Sequence, residues 1–172
     1  MIILLMGVSG SGKTTVGEKL AQSLGCEFQD ADDFHPQDNI EKMRHGIPLN
    51  DVDRIPWLKS MQKAIQEWIV ENRTVVLACS ALKASYRQQL LSDSSNLQHI
   101  SSQEINSKYI KLVYLKGSFN LIQERLQKRQ NHFMSDKLLK SQFEDLEEPL
   151  DAIVVNISES TEEIVKNIIQ NI

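Results

Sequence analysis

Residues 7–14 read Gly7-Val8-Ser9-Gly10-Ser11-Gly12-Lys13-Thr14 and match the pattern G-x-x-x-x-G-K-[ST]. An apolar run of strand length, residues 1–6, precedes the pattern, and apolar residues follow it at helical spacing: Val16, Leu20 and Leu24. Glycines allow the backbone to approach a phosphate closely, and the loop N–H groups form an anion site at the positive end of the next helix. The stretch therefore predicts a strand, a phosphate-binding loop (P-loop) and a helix. The alternative is an ordinary Gly/Ser turn.

Two side chains of this loop have predicted chemical roles. Lys13 can reach the β- and γ-phosphates of a nucleotide, and the Thr14 hydroxyl can coordinate Mg²⁺. The nucleotide is predicted to contact a continuous run of residues: Gly7, Val8, Ser9, Gly10, Ser11, Gly12, Lys13, Thr14 and Thr15.

The composition of the 172-residue chain is typical of one globular domain, which we predict to span residues 1–172. Hydrophobic residues make up 41% of the chain, charged residues make up 24%, and the formal net charge is −4. This charge provides no general attraction to nucleic acid or to an anionic membrane, so we expect neither as a partner. An anionic nucleotide must then be held by local positive groups.

The two cysteines, Cys26 and Cys79, have neither a disulfide framework nor zinc-site spacing, so both are predicted to be reduced. No apolar run in the sequence reaches the length needed to cross a membrane. The N-terminal apolar segment is short, lacks a basic flank and continues directly into the P-loop. These features favour a core strand over a signal peptide, and a cytoplasmic location is the expectation.

Five apolar runs of strand length alternate with helical patterns along the chain: 1–6, 26–29, 74–79, 109–115 and 153–157. Apolar runs without polar alternation are typical of a parallel sheet that is buried on both faces. With right-handed crossovers they predict a three-layer α/β/α fold around a five-stranded parallel sheet. Ligands of such sheets bind beyond the carboxyl ends of the strands, where Asp30, Asp32 and Ser80 also fall.

The segments between the strands contain helical patterns. Helices are predicted for Pro36 to about Arg44, Trp57 to about Val70, a stretch through Tyr86 and Leu90, a stretch after Gly117-Ser118, about 137–146, and a final helix with the capping box Ser160/Glu163. The proline-containing stretch from Gly46 up to Trp57 is predicted as a connection, and residues 92–107 as a polar surface excursion.

The remaining motifs narrow the class of P-loop protein. The sequence lacks the N-K-x-D and D-x-x-G motifs of GTPases, and the run 74–79 ends in Ser80 where motor and AAA-type proteins need an acid. A small kinase fits better. Such an enzyme needs a carboxylate near the acceptor hydroxyl, positive groups around the transferred phosphoryl group, and a closing lid.

Three carboxylates follow the second predicted strand: Asp30, Asp32 and Asp33. One can orient or deprotonate an acceptor hydroxyl, and another can hold a Mg²⁺-bound water. The spacing leaves open which of them is the base. The alternative is a turn that is rich in aspartate because aspartate favours turns.

Cations are present at two further places. The lid candidate runs from Arg125 to Asp136, and the lid itself is predicted at about 129–136. Arg129 is placed to reach the phosphates. His132 is either a lid contact or a plain loop residue. A solvated basic helix end is the alternative. A second group of cations, each of which could also be an ordinary surface residue, would suit an anionic, hydroxyl-rich acceptor: Arg54, Lys83 and Arg87.

At these residues the sequence resembles the gluconokinase family, which is related to shikimate kinases in the nucleoside-monophosphate-kinase-like group. Besides the generic P-loop, the resemblance rests on segments spread over nearly the whole chain: Asp30–Pro36, Asn39–Met43, Gly46–Asp51, Asp53–Leu58, Cys79–Lys83 with Tyr86-Arg87, and His132–Met134 with Gln142–Glu144. The His-Pro, Pro-Leu-Asn-Asp and Cys-Ser-Ala-Leu-Lys parts are the specific ones.

The resemblance implies phosphorylation of D-gluconate at the 6-hydroxyl by a homodimer that uses ATP and Mg²⁺. It implies that Asp30 lies near the metal with Thr14, that Asp32 lies near the acceptor hydroxyl, and that residues of about 35–70 bind the acceptor. The complete predicted set is Lys13, Asp32 and Arg129 for catalysis; Asp32, His35, Arg54, Lys83, Arg87 and His132 for the acceptor; Thr14 and Asp30 for the metal; and Arg125 beside the adenine.

One departure and two alternatives accompany this resemblance. Asn131 stands where family members usually have glycine before the lid histidine, and asparagine tolerates left-handed backbone better than most residues. A kinase of another small anionic polyol, such as shikimate, is disfavoured by the Pro-Leu-Asn-Asp segment. A non-catalytic nucleotide-binding regulator is disfavoured by the intact set Lys13, Thr14, Asp30, Asp32 and Arg129.

Overall fold

The computed structural model describes residues 1–91, 108–128 and 136–172. These residues contain five strands and seven α-helices. The strands are β1 (Ile2–Met6), β2 (Glu27–Asp30), β3 (Val75–Ala78), β4 (Ile110–Lys116) and β5 (Ile153–Asn156). The helices are α1 (Lys13–Leu24), α2 (Gln37–Arg44), α3 (Asp51–Val70), α4 (Ala84–Leu91), α5 (Phe119–Lys128), α6 (Asp136–Asp145) and α7 (Thr161–Asn171), and a short 3₁₀ helix covers Ala31–Phe34. None of these helices is long and apolar enough to cross a bilayer.

The strands form one parallel sheet in the order β2-β3-β1-β4-β5. β1 is central: Ile2 is aligned with Val75 of β3 and with Ile110 of β4. All five residues of β1 are 0% exposed. The parallel sheet predicted from apolar runs is therefore confirmed. β2 lies at an edge and has no fully buried residue, which explains why Glu27–Asp30 reads as a weaker strand signal.

The side chains of β1 alternate between two hydrophobic cores on opposite faces of the sheet. One core contains Ile3 and Leu5 together with side chains of α1, α5, α6 and α7. The other contains Ile2, Leu4 and Met6 together with the apolar face of α3. Complete burial of each such side chain stabilises the fold by roughly 1.5–3 kcal/mol. This arrangement confirms the predicted three-layer α/β/α fold.

The start of α3 corrects the sequence prediction. Residues 46–56 were expected to form a connection, but α3 begins at Asp51 and contains Pro56. A capping box starts the helix early, because the Asn50 side chain accepts a hydrogen bond from the Asp53 N–H (2.9 Å) and the Asp53 carboxylate accepts one from the Asn50 N–H (3.1 Å). Pro56 leaves the carbonyl of Val52 without its helical donor, and Val52 is 72% exposed, so water can replace that donor.

The other predicted elements are confirmed within one or two residues at their ends, which is the usual uncertainty of helix and strand boundaries. The capping box of the last helix is present as predicted between Ser160 and Glu163. The predicted surface excursion at 92–107 and most of the lid candidate, residues 129–135, lie outside the described residues.

We expect Asn50→Ala to destabilise the protein by about 1 kcal/mol, because it removes the acceptor that caps α3. The free energy of unfolding from urea titration measures this loss. Val52→Ala is the control: it changes an exposed residue two positions away and should shift the free energy by no more than about 0.5 kcal/mol. Equal effects of the two substitutions would contradict the capping argument.

Candidate active site

The P-loop connects β1 to α1 and depends on two glycines. Gly12 is the N-cap of α1 and has left-handed backbone with φ 93°. Gly10 has φ 83°, and a Cβ atom built there would lie 2.9 Å from the Leu126 Cδ2 atom. Any larger residue at position 10 would therefore be strained and would also push against α5. The loop N–H groups are left at the positive end of α1, where an anion is favoured.

Lys13, the first residue of α1, folds back over the loop. Its Nζ atom donates hydrogen bonds to the carbonyls of Gly7 (2.9 Å) and Val8 (3.1 Å). Burial lowers the pKa of Lys13, and the negative charges of Asp30 and Asp32 oppose that decrease. The ammonium group is thus held on the inner side of the loop, with two carboxylates close enough to influence it.

Two oxygen groups at the loop have the chemistry of a magnesium site. The Thr14 hydroxyl donates to the Asp30 carboxylate across 3.3 Å. Hydroxyl and carboxylate oxygens are ligands that Mg²⁺ accepts, and it takes the rest from phosphate and water. Among the described residues there is no cluster of three His, Cys, Asp or Glu side chains that could hold a metal without a nucleotide. Thr14 and Asp30 therefore fit a metal that binds together with phosphate.

Ser11 provides a second sign of a loop built for a polar ligand. Its side chain is 1% exposed, and its hydroxyl oxygen has no hydrogen-bond partner within the part of the chain that the structure describes. A buried hydroxyl without a partner is unfavourable, so such groups are uncommon unless a site explains them. Ser11 lies between Gly10 and Gly12 at the centre of the phosphate-binding motif.

The carboxylates of Asp30 and Asp32 are placed by the turn that follows β2. The Asp30 side chain accepts a hydrogen bond from the Asp32 N–H (3.1 Å) and thereby caps the 3₁₀ helix. The turn is also fixed from α3, because the buried Trp57 Nε1–H donates to the Ala31 carbonyl at 2.7 Å. Both carboxylates consequently line the cleft beside the P-loop.

The surroundings of Asp32 shift its pKa upward. Partial burial is the largest cause that raises the pKa of Asp32, and the negative charge of Asp30 is the second. The charges of His35 and Lys13 oppose the rise. The side chain itself remains 87% exposed, so solvent screens these effects. A raised pKa makes a carboxylate a stronger proton acceptor.

His35 is oriented by its neighbours. Its ring stacks on Trp57 with centroids 4.6 Å apart and planes 7° apart. Its Nδ1 atom lies 3.4 Å from the Asn39 side-chain amide, and its Nε2 atom lies 4.0 Å from the Asp32 carboxylate. Burial lowers the pKa of His35, Asp32 opposes this, and Arg54 adds to it. The neutral ring is therefore favoured beside the acidic pair.

A cluster of two cations, a carboxylate and a phenol lies at the same cleft, and three of its members line the cleft: Arg54, Lys83 and Tyr86. The Tyr86 hydroxyl donates to Asp51 (2.5 Å) and accepts from Arg54 (2.9 Å), and Lys83 donates to Asp51 at 3.1 Å. The hydrogen bonds from Tyr86 and then Lys83 lower the pKa of Asp51. Both cations also approach the Tyr86 ring, Arg54 at 5.7 Å and Lys83 at 5.5 Å from its centroid.

Arg87 does not belong to this cluster, although the sequence predicted an acceptor contact. It is 8% exposed, and its guanidinium donates to the carbonyls of Ala81 (3.0 Å) and Leu82 (2.8 Å). Burial lowers the pKa of Arg87. The position on α4, one turn after Lys83, directs the side chain under the preceding loop. Arg87 therefore supports the loop that carries Lys83 and does not line the cleft.

Two adjoining cavities share the P-loop as a common wall. The larger, of about 670 Å³, brings together most of the predicted residues: Lys13, Thr14, Asp30, Asp32, His35, Arg54 and Lys83. The smaller, of about 290 Å³, is lined by Gly10, Gly12 and Thr15 with Arg125 of α5, whose guanidinium donates to the Ile157 carbonyl. Arg129 and His132, the two predicted lid contacts, lie outside the described residues.

Sequence reasoning assigned no site role to several polar residues in and around the larger cleft, among them Asp51, Tyr86 and Gln142. Asp51 and Tyr86 stand three positions from Arg54 and Lys83, so helical i, i+3 spacing could have associated them with the predicted cations. Gln142 of α6 also lines the cleft and bonds to the P-loop residue Ser9. A sequence separation of 133 residues gave no local signal for that contact.

A phosphate-binding loop and an acidic pair that face one cleft, at the carboxyl edge of a parallel sheet, define a P-loop kinase of small molecules. The chain matches the shikimate kinase family (SKI) over residues 9–172. It is 47% identical to "Probable gluconokinase" of Dictyostelium discoideum, over 98% of this chain and 84% of that protein. It is 41% identical to "Thermoresistant gluconokinase" of Escherichia coli (strain K12), over 98% of this chain and 91% of that protein.

A solved structure agrees with these relatives. The crystal structure of a gluconokinase from Sinorhizobium meliloti 1021 superposes with a TM-score of 0.76 at 40% identity, covering 96% of this chain and 87% of that one. The chain belongs to the gluconokinase family.

We expect Asp32→Asn to stabilise the protein at neutral pH. The folded state raises the pKa of Asp32, so this carboxyl favours folding below its unfolded pKa of about 3.9 and loses that contribution as the pH rises through the folded value. The stability gained by the neutral amide should therefore develop as the pH rises above about 3.9 and become constant above the folded pKa, and urea titrations from acidic to neutral pH measure it.

Asp33→Asn is the matched control, because it removes the same charge one residue away and should give a smaller gain. An Asp32→Asn variant that is less stable than the parent at pH 7 would show that the folded state does not disfavour the ionised carboxylate of Asp32.

Proposed function

We propose that this protein transfers the γ-phosphoryl group of ATP to the 6-hydroxyl of D-gluconate and forms 6-phosphogluconate and ADP. The observation that carries the proposal is the cleft of about 670 Å³ that the P-loop, the acidic pair and the cations Arg54 and Lys83 all line. The substrate named for its relatives, gluconate, is a hydroxyl-rich monocarboxylate, and such a molecule has a carboxylate for the cations at one end and a hydroxyl for the acidic pair at the other.

The proposed transfer is an in-line displacement. A bond forms between the acceptor oxygen and the γ-phosphorus as the bond to the β-phosphate oxygen breaks, and Asp32 takes the acceptor hydroxyl proton. Lys13 and Arg129 balance the charge on the transferred group. When bound at Thr14 and Asp30, Mg²⁺ supplies further positive charge against the β- and γ-phosphates.

The acceptor is proposed to bind in the region of about 35–70, with contributions from Lys83 and His132. Arg54 and Lys83 bind its carboxylate, since both cations line the cleft. His35, held by Trp57 and Asn39, offers a neutral ring to a sugar hydroxyl near Asp32.

The nucleoside is proposed to occupy the smaller cavity. This cavity continues from the P-loop past Gly12 and Thr15 and has Arg125 in its wall. The planar guanidinium of Arg125 is suited to stack on or bond to an adenine. The proposal includes a lid at about 129–136, a single domain over 1–172 and a cytoplasmic location. It also includes a homodimer, which light scattering of the purified protein tests.

A panel of acceptors in a coupled ADP-release assay tests the proposed function. The expected result is ATP-dependent turnover with gluconate that requires Mg²⁺ and little turnover with shikimate. Turnover with shikimate and none with gluconate would assign another polyol kinase, and ATP binding without transfer to any acceptor would support a nucleotide-binding regulator.

We expect Asp32→Asn to lower kcat for gluconate by about 10²–10⁴-fold, because asparagine has nearly the shape of aspartate but cannot act as the proposed proton acceptor. Lys13→Ala should abolish measurable turnover, and circular dichroism should show that this variant is still folded. The Asp33→Asn variant is the control for a local change of charge. An Asp32→Asn variant with near-normal kcat would show that Asp32 is not the base.

A further inference from the structure

One segment of the chain, α6 and the residues just after it, contacts both halves of the cleft. Near the middle of α6, the Gln142 side chain binds the P-loop residue Ser9 twice. Its Oε1 atom accepts from the Ser9 N–H at 2.7 Å, and its Nε2 atom donates to the Ser9 hydroxyl at 3.0 Å. Two hydrogen bonds to one residue fix the orientation of the amide and the position of the loop on this side.

Five residues later the same segment binds the loop before α4. The Glu147 N–H donates to the Leu82 carbonyl at 3.0 Å, and the Glu147 carboxylate accepts from the Ala84 N–H at 2.7 Å. Ala84 is the first residue of α4, so this carboxylate occupies the favourable position at a helix N-terminus. Lys83, one of the two cations of the acceptor cluster, lies between these two contacts.

α6 is itself anchored to the body of the protein. Leu139 is 1% exposed in the core on one face of the sheet, and the Phe143 ring packs edge-on against Phe119 of α5 with centroids 5.4 Å apart. A displacement of either loop must therefore be resisted by the segment or transmitted along it, because closely packed elements do not deform freely.

We propose that Gln142 and Glu147 are positioning residues that link the nucleotide loop to the acceptor loop, so that each ligand strengthens the binding of the other. The proposal rests on the proposed function, since it takes the nucleotide to lie on the P-loop and the acceptor beside Lys83. A shift of Ser9 on nucleotide binding is passed by Gln142 to α6 and by Glu147 to the loop that carries Lys83. Linkage requires the effect to be equal in both directions.

Binding calorimetry measures this coupling directly. The dissociation constant of a non-hydrolysable ATP analogue with Mg²⁺ is determined with and without saturating gluconate, and the ratio of the two values is the coupling factor. We expect a factor of about 5–150 for the parent protein. Gln142→Leu should bring the factor close to one, with much smaller changes in the affinity for each ligand alone. Lys140→Ala, on the exposed side of α6, is the control and should keep the parent value.

The second end of the link provides an independent variant. Glu147→Ala should also bring the factor close to one, and the double variant should lose no more coupling than either single variant, because one connection is cut at two places. A merely structural role would lower stability or both separate affinities without removing the ratio. Rescue by Glu147→Gln, which keeps an acceptor for Ala84, would support the hydrogen-bond assignment.

The results separate the two proposals. A parent protein that does not bind gluconate overturns the proposed function, and the coupling is then measured with the acceptor that the ADP assay identifies. A parent factor of one, an unchanged factor in both single variants, or losses that add in the double variant would each overturn the link.

Discussion

The complete burial of β1 fixes the position of the P-loop and, through it, of the cleft. Its five residues send side chains into two separate cores, and β3 and β4 satisfy its backbone on both sides. A strand in this position cannot shift in register without exposing apolar surface on both faces. The P-loop begins at its carboxyl end and is therefore held at the centre of the sheet edge, where β2 and β3 end beside it. The site therefore lies at the end of a completely buried strand.

Around this fixed loop, the cleft holds groups that would otherwise repel or be poorly solvated. Asp30 and Asp32 stand together because backbone N–H and indole donors fix their turn, and the negative charge of Asp30 contributes to the raised pKa of Asp32. Across the cleft, Asp51 partly neutralises Arg54 and Lys83, so the cluster has a smaller net positive charge than its cations alone. Such a balance suits an acceptor with a single carboxylate and many hydroxyls.

The contacts that hold the two walls in place come from residues remote in sequence. Two residues bind the carbonyl of Leu82. Arg87 of α4 donates through its guanidinium, and Glu147, in the segment after α6, donates through its backbone N–H. Gln142 reaches the P-loop from the same segment. The cleft of this gluconokinase-family protein is thus supported by side chains that bind backbone groups of its loops.

Local patterns were enough to predict the P-loop with its strand and helix, the parallel three-layer fold, and the place of Asp30 and Asp32 at the carboxyl edge of the sheet. These follow from spacing and from the burial that apolar runs require. Three features became visible only in the folded chain: α3 starts before Pro56, Arg87 is buried under a loop, and Gln142 binds Ser9. The physical reason is that these outcomes depend on which backbone groups are left without partners after the chain has packed, and that is a property of the assembled fold.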